Sequence, residues 1–157
     1  MERNALISPD GVYRYWLSRR WDNKPAPLLA WVMLNPSTAD ATVDDPTIRR
    51  VMYFSKREGY AGCLVLNLFA LRTPDSSRLR KHPEPIGPRN NRYLQELAEQ
   101  CDPIVCAWGS KAPLDRAMEV LRVQLKDVVT ICLGTTSKHS PRHPLYLPNS
   151  AEFEAFP

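Results

Sequence analysis

Short, continuous apolar runs recur along the chain, separated by stretches whose apolar residues fall at helical spacing. The runs are Leu28-Leu29-Ala30-Trp31-Val32-Met33-Leu34, Cys63-Leu64-Val65-Leu66-Asn67-Leu68-Phe69, Ile104-Val105-Cys106-Ala107-Trp108 and Val128-Val129-Thr130-Ile131-Cys132-Leu133. Runs that do not alternate with polar residues read as strands buried on both faces. Between them, Ile48, Val51, Met52 and Ser55 predict one helix, which starts at Asp45-Pro46 and stops at Gly59. Leu94, Leu97, Ala98 and Cys101 predict a second. Leu114, Ala117, Met118 and Leu121 predict a third, capped by Ser110. An earlier segment, Val12 to Ser18, alternates and is aromatic-rich, and Asp22-Asn23-Lys24-Pro25 turns it back against the Leu28–Leu34 strand. The pattern predicts a single α/β domain over residues 1–157. Its architecture is expected to be a three-layer α/β/α sandwich with a central four-stranded parallel sheet, plus an N-terminal antiparallel strand pair. The proline-dense stretch from Thr73 to Pro88 reads as an ordered surface crossover.

Composition narrows the class. With 157 residues the chain can bury a core without covalent staples, and 21 Lys and Arg against 17 Asp and Glu permit a polyanionic partner without requiring one. Cys63, Cys101, Cys106 and Cys132 lie in or beside apolar segments with no C-x-x-C pair, so reduced thiols are expected, and neither a zinc ribbon nor an iron–sulfur cluster. Met1-Glu2-Arg3-Asn4 has no apolar signal region and no run approaches membrane-spanning length. A soluble cytoplasmic monomer with no membrane association is expected.

Candidate chemistry stands at the strand ends. The first buried strand runs into Asn35-Pro36-Ser37, the second holds Asn67 near its end, and the third ends at Trp108-Gly109. The fourth leads through Gly134 to Lys138, Arg142 and His143-Pro144. In a parallel sheet the carboxyl ends share one rim, where ligands bind, so Asn35, Asn67 and His143 are expected to converge. Taken singly, an Asn in a loop is most often a turn residue and a His-Pro carries little meaning.

These loops resemble the active-site motifs of the uracil-DNA glycosylase superfamily. Leu34-Asn35-Pro36-Ser37 is similar to the first motif, especially that of the mismatch-specific branch, which reads Asn-Pro-Gly. Val65-Leu66-Asn67-Leu68 followed by Arg72-Thr73-Pro74 resembles the strand carrying the base-reading Asn. Trp108-Gly109-Ser110-Lys111-Ala112 resembles a Gly-x-x-Ala strand end, and Arg142-His143-Pro144-Leu145-Tyr146-Leu147 the second, His-Pro motif. The chain also resembles a small bacterial and phage family of domains of unknown function that carries Leu-Asn-Pro-Ser-Thr-Ala and Arg-His-Pro-Leu-Tyr-Leu-Pro.

The resemblance implies a monofunctional DNA glycosylase that flips a modified pyrimidine out of DNA and hydrolyses its glycosidic bond, in a setting of anti-phage defence. It implies that Asn35 orients water at C1′ and that His143 donates to the departing base. Pro36, Ser37, Asn67 and Phe69 would bind the substrate, and Arg72, Lys138, Arg142, Leu145 and Tyr146 the DNA, with Leu145 or Tyr146 filling the vacated stack. The chemistry needs no metal or cofactor, and the implied partner is DNA, with phage DNA carrying modified bases foremost.

Two departures stand out. The fastest branch has Asp where this chain has Asn35, and an amide cannot take a proton from water. Asp44 or Asp45 would then supply the carboxylate; Asp45 suits an N-cap before Pro46, which leaves Asp44 the freer of the two. The uracil-restricted branch also has a bulky aromatic soon after this motif, where Ser37, Thr38 and Ala39 stand here. Small residues suit a pyrimidine enlarged at C5, such as glucosylated hydroxymethylcytosine. Arg49, Arg50, Lys56 and Arg57 on the first helix are either phosphate contacts or a solvated face. The alternative functions are hydrolysis of free nucleosides or nucleotides, and non-catalytic binding of modified DNA.

Overall fold

The computed structural model describes residues 1–23 and 25–157. Seven strands, β1 (Glu2–Ile7), β2 (Arg14–Arg20), β3 (Leu28–Met33), β4 (Gly62–Asn67), β5 (Ile104–Cys106), β6 (Thr130–Cys132) and β7 (Glu154–Ala155), form one mixed sheet among the described residues. Their order is β1-β2-β4-β3-β5-β6-β7. β4, β3, β5 and β6 pair parallel, and β1–β2, β2–β4 and β6–β7 pair antiparallel. The helices are α1 (Pro46–Arg57), α2 (Asn90–Gln100) and α3 (Leu114–Glu119).

The apolar runs explain the centre of this sheet. Along β3, Leu29, Trp31 and Met33 pack with Ile48, Val51 and Phe54 of α1, while Ala30 and Val32 pack on the opposite side with Leu94 and Leu97 of α2 and Ala117 of α3. Both faces are therefore covered, and alternation has no polar face to report. Truncating a fully buried aromatic such as Trp31 or Phe54 to alanine is expected to cost about 3–5 kcal/mol. The indole Nε1–H of Trp31, at full burial, donates to Ser55 Oγ at 3.0 Å, so its polar edge is not orphaned.

Several expectations are corrected. β2 pairs with β1 and β4, not with β3, so the N-terminal antiparallel pair is β1–β2. The expected turn after β2 includes Lys24, which lies outside the described residues. Ser110 does not cap α3; Pro113 precedes its first turn, and Leu114 stands 75% exposed instead of facing the core. A π-helical turn, Val120–Gln124, extends α3. β7 is too short and too polar to read from its pattern. Among the described residues no helix is long and apolar enough to cross a membrane.

Candidate active site

A cavity of about 570 Å³ opens where the carboxyl ends of β3, β4 and β5 meet the start of α1 and the loop after β6. Asn35, Asn67 and His143 all line it, as do Ser37, Asp45, Leu145 and Tyr146. The sheet register accounts for the first two: Met33 lies opposite Asn67, so the loop leaving β3 and the last residue of β4 reach the same rim. His143 arrives by a longer route. After Gly134 the chain loops out and returns through the bridge between Thr135 and Pro141. The N–H of Gly109 then donates to Pro141 O at 2.9 Å. Gly109 is in the left-handed region at φ 76°, and a Cβ there would lie 3.4 Å from that of His143, so glycine suits the close approach of β5 to this loop.

The polar groups are held in defined states. Asn35 Nδ2 donates to the carbonyls of Pro36 at 3.0 Å and Thr73 at 2.9 Å, while Thr73 N–H donates back to Pro36 O at 2.9 Å. Two carbonyl partners fix which side of the amide is nitrogen, so Oδ1 is the acceptor left for a water. The His143 Nδ1 accepts from Leu145 N–H at 3.2 Å, which places the ring proton on Nε2. Burial lowers the pKa of this imidazole, with Asp45 pulling the other way, so His143 is a neutral N–H donor at neutral pH. Asn67 is 1% exposed and, among the described residues, its buried Nδ2 has no partner.

Asp45 caps α1 as expected and also reaches the cavity, whereas Asp44 does not. Asp44 is not on the cavity wall: it pairs with Arg19 Nε at 2.6 Å and Arg3 Nη2 at 3.3 Å. Burial works to raise its pKa, but these two cations prevail and hold it below the usual carboxylate range. Asp45 is the carboxylate on the wall, and it is also the N-cap of α1. Its Oδ1 accepts from Ile48 N–H at 2.8 Å and its Oδ2 from Ala39 N–H at 3.3 Å. Each oxygen retains a lone pair, so capping and facing a ligand are compatible.

Other expected contacts fall outside the cavity. Phe69 is buried in the core, and Pro36 shapes the loop through its carbonyl without lining the wall. Lys138 and Arg142 are exposed on the loop after β6, and neither lines the cavity. Arg72 lines a neighbouring open groove of about 630 Å³ together with Arg78, Lys81 and His82, and Thr73 and Pro74 belong to both hollows. On α1, Arg50 donates to Asn149 Oδ1 and to the carbonyls of Pro144 and Leu147, and Arg57 to those of Asn149 and Ala151. These two cations fasten the His143 loop and the chain just beyond it to the helix.

Arg14 and Thr47, which the sequence pattern did not single out, complete the wall together with Thr73, Trp108, Ser110 and Lys111 of the motif stretches. Among the described residues no group of three or more His, Cys, Asp or Glu is arranged to hold a metal ion. The family model described as "Protein of unknown function (DUF1643)" matches residues 14–145. The chain belongs to the DUF1643 family. No curated protein and no solved structure matches it. The DUF1643 match takes in Arg14, Asn35, Asp45, Asn67 and His143, so nearly the whole cavity lies inside the family's extent.

Proposed function

We propose that this DUF1643 protein is a monofunctional DNA glycosylase that removes an enlarged pyrimidine from DNA and leaves an abasic site. The observation that carries the proposal is the convergence of Asn35, Asn67 and His143 on one cavity, each in the state the chemistry requires. The parallel pairing of β4, β3, β5 and β6, with helices on both faces, supports a three-layer α/β/α architecture like that of the uracil-DNA glycosylases.

Each step uses a group on the wall. The flipped nucleotide enters the cavity at a cost of a few kcal/mol of stacking. Water accepted by Asn35 Oδ1 attacks C1′ as the C1′–N bond breaks, through an oxocarbenium-like sugar. The electron pair of that bond leaves with the base. His143 Nε2–H and the Asn67 amide donate to the base's oxygen acceptors as negative charge collects there. Asp45 takes the proton of the attacking water and gives it up to solvent, from which the anionic base takes one proton as it is released. The basic groove of Arg72, Arg78 and Lys81 beside the cavity suits the phosphates flanking the flipped nucleotide, which favours DNA over a free nucleoside. Tyr146, 92% exposed on the rim, or the half-buried Leu145 fills the vacated stack. A volume of about 570 Å³ is ample for a pyrimidine bearing a bulky substituent, and small Ser37 lies on its wall. The same motifs are similar to those of bacteriophage replication inhibition DNA glycosylase, which points to cytoplasmic anti-phage defence as the setting.

The test incubates the purified chain with genomic DNAs, including phage DNAs whose pyrimidines are glucosylated or otherwise enlarged. Abasic sites and released bases are then measured. Base release by the native chain that is lost in Asn35→Ala and His143→Ala is expected, with no action on the matching free nucleosides. Silence across the whole panel refutes the activity.

A further inference from the structure

Arginine is rarely buried, and this chain buries three, in two different ways. A guanidinium has several N–H donors and no acceptor, so its burial is tolerated when carboxylates and carbonyls surround it. Arg19, at 0% exposure, meets that condition. It donates to Asp44 Oδ1 and to the carbonyls of Asn4, Ser18, Asp40 and Val43. Arg116 donates to Leu68 O, Glu119 and Asn91. Arg14 is 2% exposed, yet among the described residues its guanidinium meets one carbonyl, Ala39 O at 3.0 Å, and its Nε–H is buried with no partner.

Arg14 is also the member of the three that lines the cavity. Burial pushes its pKa down to about 10, with Asp45 acting to raise it, so it remains a cation at neutral pH. On the same wall, Asn67 Nδ2 is a second buried donor lacking a partner. Two residues of one wall that each carry an orphaned donor, one of them charged, are complementary to a group that only accepts and carries negative charge.

We propose that Arg14 and Asn67 form an oxyanion subsite on the cavity wall, built to take a negatively charged, acceptor-only edge of a ligand. The subsite stands on the geometry alone. Its part in catalysis rests on the glycosylase activity proposed above, where the anionic edge belongs to the departing base. In that case Arg14 is a catalytic residue additional to Asn35, Asn67 and His143, and it acts on the electron pair released from the C1′–N bond. Asp45, on the same wall, supplies the opposite charge for the sugar cation, so the cavity offers a fixed positive and a fixed negative group to a transition state that separates charge.

The subsite is tested by calorimetric titration of the full chain with orotate, a pyrimidine carboxylate, and with its neutral amide. Wild type should prefer orotate by at least about tenfold, the scale of one charge-assisted contact. Arg14→Gln, which removes the charge, should erase the preference; Arg122→Gln, on the exposed surface, should keep it. Thermal melting is the second measurement. Arg14→Met should melt no lower than wild type, because its charge has little to lose in the unliganded chain, whereas Arg19→Met should melt many degrees lower. Absence of a charge preference in wild type, its persistence in Arg14→Gln, or a melting loss in Arg14→Met equal to that of Arg19→Met overturns the subsite. Charge preference without base release from any DNA leaves the subsite standing and removes the glycosylase activity. Base release undiminished in Arg14→Gln leaves the glycosylase activity standing and overturns the part of Arg14 in it.

Discussion

The Arg19–Asp44 cluster and the cavity wall treat buried polarity in opposite ways. At Arg19, an ion pair and four carbonyls saturate the cation, and the result ties β1, β2 and the loop before α1 together. At the wall, Arg14 and Asn67 retain buried donors without partners, and His143 keeps its protonated nitrogen out of its own loop's hydrogen bond. A fold stabilises itself at the first kind of place and reserves binding energy at the second. Asp44 and Asp45 are the boundary: adjacent in sequence, one belongs to the saturated cluster and the other to the wall.

Changes that strip one side or the other should separate these roles, beginning with the largest. Arg19→Met leaves Asp44 and several carbonyls without their donor and should cost about 3–5 kcal/mol of stability, measured by urea unfolding. His143→Ala should slow base release by about 10²–10³-fold, the scale of removing one transition-state donor, with a much smaller change in the same unfolding measurement. Asp45 should respond to the substituent chosen. Asp45→Asn keeps an N-cap and should hold stability while losing about 10²-fold in base release. Asp45→Ala should in addition lose about 1 kcal/mol. Unchanged base release in Asp45→Asn would return the proton acceptor to solvent.

The next effect is a slope with pH. Burial holds the His143 pKa below its ordinary 6.5. Between the lowered value and 6.5, the unfolded chain binds a proton that the folded chain does not, so stability falls as pH drops through that window and is insensitive to this group above it. His143→Gln should flatten that part of the curve, read from denaturation midpoints at a series of pH values. The smallest expected change in stability is that of Tyr146→Ala, within about 0.5 kcal/mol, because the ring is exposed; the test there is whether DNA affinity nevertheless weakens.

The sequence made the cavity's framework legible because continuous apolar strands announce a parallel sheet, and a parallel sheet places its strand ends together. Asn35, Asn67 and His143 could be found by that rule. Arg14 could not. In an alternating strand it looks like any solvent-facing polar residue, and its burial depends on β2 joining β4 instead of β3. The cap at Asp45 was legible from Asp45-Pro46, but the fate of Asp44 was hidden, since it is decided by Arg19, distant in sequence and itself buried. Phe69 misled for a related reason. It closes an apolar run, but the chain past β4 carries it into the core behind α2 and α3, away from the rim. The start of α3 escapes the pattern because serine is a good cap in isolation, while Pro113 decides where the first turn begins.

The clamp on Asn35 limits what can stand at position 35. Its amide spends both hydrogens on the carbonyls of Pro36 and Thr73, and so staples the loop leaving β3 to the loop leaving β4. A carboxylate in its place would present two lone-pair-bearing oxygens to two more, with nothing to donate. An acid at position 35 is therefore incompatible with the present arrangement of the two loops. Asn35→Asp should spread the two loops before it could hasten any reaction, unless the neighbourhood of Thr73 is rebuilt to supply a donor.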